Sequence, residues 1–190
     1  AIPNKKAASF SLTRSIRNDY LDEYYANFAN IARKLWEEIE TKSEEKFIIN
    51  CGCLNLAKKA ISKDFRKTYA LKSFKVISKL GFRSKRFNKK ELNKNYPQFE
   101  ADLGTLDVDA GFLYLSVITK TLLKFLKQNK VKIIQKVEVK EIKEDWNSVS
   151  ILTNKGSLQT KKLVITAGIW VNEVLKLIKN CKLNFPIKPQ

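Results

Sequence analysis

A run of apolar residues near the end of the chain stops abruptly at small residues, and this is the stretch best suited to contact a ligand. The run extends from Lys162 to Trp170, and no polar residue interrupts it before Thr166. Such continuous apolar character predicts a strand buried on both faces. Gly168 then lets the backbone turn, and apolar residues at helical spacing follow over residues 171–178. In open α/β sheets ligands bind at this kind of junction, although a glycine that only packs the turn is an equally good interpretation.

The sequence contains no histidine, and its cysteines are Cys51, Cys53 and Cys181. Without histidine, these 190 residues cannot supply histidine-based acid–base catalysis or most kinds of zinc site. The Cys51-Gly52-Cys53 spacing is shorter than in zinc-binding motifs and has no partner pair. We therefore expect reduced thiols in a cytoplasmic protein and no metal site.

The net charge of +18 arises because 37 lysines and arginines face only 19 aspartates and glutamates. A surplus of this size is compatible with binding to nucleic acid or to an anionic membrane. Only six of the basic residues are arginines, the side chains that bind phosphate and guanine through two parallel hydrogen bonds. We therefore expect no specific nucleic-acid partner, and a non-catalytic basic domain that binds nucleic acid or a partner chain remains the alternative function. No apolar run approaches the roughly 20 residues of a membrane span, so no membrane partner is expected.

The helices that must position these residues are predicted from periodicity and capping signals. A long helix begins near Leu21, with carboxylates in its first turns at Asp19, Asp22 and Glu23. Its apolar residues form one stripe, which consists of Leu21, Tyr24, Tyr25, Phe28, Ile31, Ala32, Leu35, Trp36 and Ile39. A second helix is predicted over residues 62–80, where Gly81 ends it. A third, short helix before Pro97 begins with a capping box made by Asn88 and Glu91.

The strands are predicted from alternation and from turn residues. Residues 47–57 alternate as a strand pair broken at Gly52, and residues 107–114 are extended before a helix capped by Ser116. Four short strands follow, over residues 131–134, 137–142, 149–153 and 157–160, with a hairpin turn at Asn154-Lys155-Gly156. A helix, a meander of strands and a buried strand in this order predict an α/β fold with a mostly parallel sheet.

Seven short motifs follow one another along the chain. They are Thr13-Arg14-x-Ile16-Arg17-x-x-Tyr20, Leu35-Trp36-x-x-Ile39, the helix of residues 88–97, Asp109-Ala110-Gly111, Val139-x-x-Ile142, Ala167-Gly168-Ile169-Trp170 and Pro186-Ile187-Lys188-Pro189. In this order they resemble the sarcosine oxidase-like branch of the FAD-dependent amino-acid and amine oxidases. The resemblance implies part of a Rossmann-like FAD-binding domain with an inserted portion of an α+β substrate domain. It also implies oxidation of the amine of a small amino acid or N-methyl amino acid, with FAD as cofactor and oxygen as acceptor.

The same resemblance implies roles for individual residues. Arg17 would bind the substrate carboxylate, for which a planar guanidinium is well suited. From its place in the sequence alone, Arg17 would be interpreted as a solvated cation near the start of a helix. Arg14 would lie near the flavin ring, and the backbone of Val139 would pair with the adenine. The remaining cofactor contacts that the resemblance implies are Thr166, Ala167, Gly168 and Trp170.

Two departures from the family pattern limit this prediction. Phe10 and Ser11 stand where the family often has a histidine and usually has a glycine, and no G-x-G-x-x-G fingerprint occurs among the six glycines. We therefore expect a central segment of a longer protein that is inactive by itself. Residues 1–45 and 109–190 would belong to the cofactor domain, and residues 46–108 to the substrate domain.

The interpretation of the lysine surplus can be tested with duplex DNA. We expect weak binding without sequence preference, and an affinity that collapses as the salt concentration rises, because dispersed point charges only neutralise phosphates. The measurement is a titration of labelled duplexes of two unrelated sequences at low and at physiological salt. A sequence-specific complex that persists at physiological salt would contradict the interpretation.

Overall fold

The structure is a computed structural model that describes Ile2 and residues 4–187. Its backbone divides into two compact units. The central unit comprises residues 11–126, and the C-terminal unit comprises residues 127–190 together with the segment up to Phe10. The mixture of helices and strands confirms the predicted α/β class. Lys188 and Pro189 of the last motif lie outside the described residues. Within those residues, no helix combines the length and the apolar character needed to cross a membrane.

The central unit contains two antiparallel three-stranded sheets and four α-helices in the described residues. Its strands are β1 (Thr13–Ile16), β2 (Ile48–Asn50), β3 (Cys53–Ala57), β4 (Ser84–Asn88), β5 (Leu103–Asp107) and β6 (Gly111–Tyr114). Its helices are α1 (Glu23–Ser43), α2 (Tyr69–Lys79), α3 (Lys89–Asn95) and α4 (Leu115–Gln128). The strand orders are β1-β6-β2 and β3-β5-β4. The predicted pairing within residues 47–57 is therefore wrong, because β2 and β3 join different sheets on either side of Gly52, whose φ is +75°.

The long helix α1 forms as predicted, but much of its apolar stripe faces solvent. Its N-cap is Asp22, whose carboxylate accepts a hydrogen bond of 2.8 Å from the backbone N–H of Tyr24. Trp36 and Ile39 pack against a core made by Ile16, Phe47, Leu113 and Ile118. Six of the remaining residues of the stripe are exposed, and these are Leu21, Tyr24, Tyr25, Phe28, Ile31 and Leu35. Periodicity thus identified the helix, whereas only packing partners decide which apolar residues are covered.

Capping signals elsewhere in the central unit agree with the structure at two of three sites. Asn88 and Glu91 form the capping box of α3, with reciprocal hydrogen bonds of 2.8 and 3.0 Å. Gly81 follows the end of α2 in a left-handed conformation. The helix α2 is shorter than predicted, because a 3-10 turn over Phe65–Lys67 precedes its start at Tyr69. Ser116 is not a cap, since α4 already begins one residue earlier.

The C-terminal unit is built on the antiparallel meander β7 (Val139–Glu144), β8 (Val149–Thr153) and β9 (Gly156–Thr160), followed by a short helix α5 (Val171–Leu175). The predicted hairpin turn joins β8 and β9. The prediction of a strand over residues 131–134 is wrong. So is the prediction of a mostly parallel sheet, because every strand pairing described between named strands is antiparallel.

The apolar run that predicted a buried strand has no strand pairing in the described residues. Residues 162–167 carry no ladder, and the side chain of Val164 is 80% exposed. A 3-10 turn over Gly168–Trp170 then leads into α5. A strand exists only where a neighbouring strand accepts and donates its backbone hydrogen bonds, and the run has no such neighbour here.

The assignment of residues 1–45, 46–108 and 109–190 to cofactor and substrate domains stays a prediction.

Glu40 on α1 joins this helix to the start of β2. Its Oε1 accepts hydrogen bonds of 2.8 Å from the backbone N–H groups of both Phe47 and Ile48. Burial raises the pKa of Glu40, but these two N–H groups and Lys46 outweigh burial and bring the pKa below its ordinary value of 4.5. A carboxylate with a lowered pKa stabilises the fold above that ordinary value, and the contribution is lost as the pH falls through the folded-state pKa.

We predict that Glu40→Ala lowers the free energy of unfolding at pH 7 by about 1–3 kcal/mol, because it leaves two partly buried N–H donors without this acceptor. Urea unfolding followed by the fluorescence of Trp36, whose ring lies 6.1 Å from that of Phe47, is the measurement. Glu38→Ala is the matched control, since it removes only a surface ion pair with Lys42 of the same helix, worth about 0.5 kcal/mol or less. Equal losses in the two variants would contradict the role of Glu40.

Candidate functional site

Arg17 is placed by the strand that ends immediately before it. Thr13 to Ile16 of β1 pair residue by residue with Tyr114 to Gly111 of β6, and Ile16 is buried in the core. The chain leaves the sheet at this point, so Arg17 and the next five residues form a short connection to α1. Arg14 lies in the same strand opposite Leu113. Both predicted arginines therefore belong to one strand and its end.

Asp19 is a buried carboxylate that binds Arg17. The residue is 1% exposed, and its Oδ1 accepts a hydrogen bond of 2.9 Å from Nη1 of Arg17. Its Oδ2 accepts a further hydrogen bond from the side-chain amide of Asn55 in β3. A carboxylate is tolerated at this depth only when a countercharge and hydrogen bonds replace its water. The prediction that Asp19 lies in the first turn of the helix is wrong, since Asp22 is the N-cap.

Tyr69, the first residue of α2, contacts both Asp19 and Arg17. Its hydroxyl donates a hydrogen bond of 2.5 Å to the backbone carbonyl of Asp19 and accepts one of 2.6 Å from Nη1 of Arg17. The guanidinium carbon also lies 5.1 Å from the ring centroid of Tyr20 and 5.6 Å from that of Tyr69, within the range of cation–π attraction. Burial lowers the pKa of Arg17, but Asp19 and Tyr69 outweigh burial and raise the pKa overall. Arg17 is a permanent cation in this setting.

The hydrogen bonds of Arg17 leave one edge of its guanidinium directed away from Asp19 and Tyr69. Nη1 carries two N–H groups, and its two described hydrogen bonds go to Asp19 and Tyr69. The other three N–H groups belong to Nη2 and Nε. The edge made by Nε and Nη2 presents two parallel donors, which is the spacing that a carboxylate binds. Asn55 and Tyr69 also line a cavity of about 330 Å³ between β3 and the start of α2.

A second buried carboxylate, Asp107 at the end of β5, lies close to this cluster. Its Oδ2 accepts a hydrogen bond of 2.6 Å from the backbone N–H of Asn18, and its Oδ1 accepts one of 3.2 Å from that of Asp109. Burial raises the pKa of Asp107, and the charge of Asp19 raises it further, against the lowering effect of the Asn18 N–H group.

Burial likewise raises the pKa of the Cys53 thiol, which argues against a thiolate nucleophile at this position.

Three of the six predicted cofactor contacts meet around one cavity in the C-terminal unit. Val139, Thr166 and Ala167 line a space of about 320 Å³, together with apolar residues of β7, β8 and the unpaired run. Gly168 has a φ of +57°, and no atom approaches the place where a side chain would begin. Trp170 is partly exposed in the turn before α5.

Among the described residues, no cluster of cysteine, aspartate and glutamate could hold a metal ion.

The sequence alone did not identify Asp19, Asn55, Tyr69 or Asp107 as parts of the site. Tyr69 lies 50 residues from Asp19, and Asp107 lies 89 residues from Asn18. No periodic pattern links positions so far apart. The one available signal was the position of Asp19 two residues after Arg17, which is compatible with a local ion pair.

The chain matches the family model described as FAD dependent oxidoreductase over residues 5–190, and it belongs to this family. N-methyl-L-tryptophan oxidase of Salmonella enteritidis is 26% identical over 177 residues, which cover 91% of this chain and 46% of the relative. The enzyme of the same name from Yersinia pestis is 23% identical over the same shares. These matches confirm the predicted resemblance to the sarcosine oxidase-like branch and give no support to the nucleic-acid alternative.

Solved structures with the same fold are amino acid oxidases and related flavoproteins. NikD, described as an unusual amino acid oxidase essential for nikkomycin biosynthesis, has a TM-score of 0.77 and 18% identity, over 93% of this chain and 45% of NikD. L-proline dehydrogenase from P. horikoshii has a TM-score of 0.76 and 21% identity, over 92% of this chain and 46% of that protein. The fold is thus a partial Rossmann-like FAD-binding fold. The chain spans about half the length of the curated relatives that it matches.

The raised pKa of Asp107 gives a testable pH dependence. We expect its carboxyl group to titrate above the ordinary value of 3.8, so that its charge weakens the fold as the pH rises from 3.8 through the folded-state pKa. NMR titration of the side-chain carboxyl carbons measures this directly. Asp102 is an internal control, because the Lys59 N–H group and Lys89 lower its pKa and its midpoint should fall below 3.8. A midpoint for Asp107 at or below that of Asp102 would contradict the prediction.

Proposed function

We propose that this chain is part of an FAD-dependent oxidase that acts on the amine of a small amino acid or N-methyl amino acid. The acceptor of the electrons is oxygen, and the reaction takes place in the cytoplasm. The observation that carries the proposal is the guanidinium of Arg17, which is anchored through Nη1 and presents its Nε–Nη2 edge as a two-donor site. Membership of the FAD-dependent oxidoreductase family supports the redox chemistry.

In this proposal Arg17 binds the carboxylate of the substrate. Two parallel, charge-assisted hydrogen bonds fix both the position and the orientation of a carboxylate, and a substrate so held has a defined direction for its amine. The buried Asp19 and the hydroxyl of Tyr69 fix the orientation of the guanidinium plane. No residue of the described chain is assigned to proton transfer, and the raised pKa of the Cys53 thiol argues against its use as a base.

The proposed cofactor contacts fit one side of a dinucleotide. Val139, Thr166 and Ala167 line a cavity with apolar walls, which suits an adenosine group, and Gly168 leaves open space beside the backbone. Arg14 would stabilise negative charge near the flavin ring. FAD, when bound, accepts the two electrons that leave the amine. Since the sequence has no G-x-G-x-x-G motif for the diphosphate, we expect residues 1–190 alone to hold FAD weakly and to be inactive.

The test is Arg17→Lys in the FAD-loaded protein that carries this chain. The charge remains but the two-donor edge is lost, so we expect KM for amino-acid substrates to rise about tenfold or more, as for the loss of a charge-assisted hydrogen bond worth about 1.5–3 kcal/mol. Arg66→Lys is the matched control, because Arg66 is an exposed arginine that binds only Asp64 among the described residues. Unchanged KM for Arg17→Lys, with flavin absorbance intact, would remove Arg17 from the substrate site.

A further inference from the structure

We propose that Tyr69 is a positioning residue, whose hydroxyl fixes the plane of the Arg17 guanidinium for the substrate carboxylate. This inference rests on the proposed function of Arg17 and assigns a role to a residue 52 positions away in the sequence. Tyr69 would not touch the substrate in this role. It would act through Arg17 only.

The direction of the Tyr69 hydroxyl is set by its own hydrogen bond. The O–H group donates to the backbone carbonyl of Asp19 at 2.5 Å, so a lone pair of the same oxygen is directed toward Nη1 of Arg17 at 2.6 Å. Burial raises the pKa of Tyr69, and the hydrogen bond from Arg17 lowers it less, so the pKa lies above its ordinary value of 10. The hydroxyl therefore keeps its proton, and hence its donor role, throughout the neutral pH range.

Two acceptors on one nitrogen define the plane of a guanidinium. The two N–H bonds of Nη1 lie in the plane of the group and point about 120° apart. Nη1 donates to both Asp19 Oδ1 and Tyr69 Oη, at 2.9 and 2.6 Å, and we assign one of its two hydrogens to each acceptor. With Asp19 alone, the guanidinium would keep one anchor and could rotate about it. With both acceptors, the direction of the Nε–Nη2 edge is fixed as well.

Both acceptors are themselves held, which makes the arrangement rigid. The carboxylate and the backbone carbonyl of Asp19 belong to one residue that is 1% exposed, and Asn55 binds the second carboxylate oxygen. Tyr69 is fixed at the beginning of α2, where the adjacent Ala70 and Leu71 are buried against Ala57 and Leu103. A long, flexible side chain is thereby ordered before the substrate arrives, so that little rotamer entropy is lost on binding.

The variant that isolates this role is Tyr69→Phe, because it removes the hydroxyl and keeps the ring, the net charge and the cation–π contact. We expect KM for the amino-acid substrate to rise roughly three- to tenfold with kcat nearly unchanged, as for the loss of one hydrogen bond that acts equally on bound substrate and transition state. Tyr96→Phe is the matched control. It removes the hydroxyl from a half-buried ring whose aromatic contact is with Phe87, and KM should stay at the wild-type value.

A second measurement uses the chain itself and does not depend on turnover. In protein labelled with ¹⁵N-arginine, the Nη signals of Arg17 should broaden in Tyr69→Phe, because rotation of the guanidinium becomes faster, and should stay as in the wild type in Tyr96→Phe. If Arg17→Lys raises KM but Tyr69→Phe behaves as Tyr96→Phe in both measurements, the positioning role is wrong and the proposed function stands. If Arg17→Lys leaves KM unchanged, the substrate role fails whatever the NMR signals show.

Discussion

The negative charge of Asp19, held out of contact with water, is the constraint on which the rest of the central unit depends. Removing an ion from water costs several kcal/mol unless a countercharge and hydrogen bonds replace the solvent. Here the carboxylate is bound by two separate parts of the chain, Arg17 at the end of β1 and Asn55 in β3, while Tyr69 at the start of α2 donates to the backbone carbonyl of Asp19. Asp19 therefore ties both sheets and a helix to one point, and a movement of either sheet leaves its carboxylate with fewer partners.

The neighbouring carboxylate of Asp107 is held differently. Its described partners are backbone N–H groups rather than a cation, and it lies near a second negative charge. Hydrogen bonds from the backbone depend on the shape of the connection around Asn18. The two carboxylates thus hold the connection in different ways. Asp19 binds the side chain of Arg17, whereas Asp107 binds the backbone N–H group of Asn18.

The parts of the fold that the sequence predicted well are those specified by nearby residues. The capping box of Asn88 and Glu91, the glycine after α2 and the β8–β9 hairpin each depend on contacts within a few positions. The resemblance to a family pointed to Arg17 because its motif is also local, and the role of Arg17 at the substrate stays a prediction. The predicted buried strand at residues 162–166 was wrong because a strand needs neighbours, which apolar composition does not provide. Tyr69 and Asn55 were missed for a related reason, as their importance arises only from distant partners.

The register of β1 against β6 has a consequence for how the protein is made. Thr13 pairs with Tyr114 and Ile16 with Gly111, so nearly one hundred residues separate the two strands along the chain. During synthesis from the N-terminus, β1 cannot find its partner until β6 has left the ribosome, and contacts of such long separation form slowly. The arginine at the end of β1 is thus synthesised nearly one hundred residues before the strand that pairs with β1. Until then, β1 has an unpaired edge on both sides, and the growing chain is expected to need protection from association over that interval.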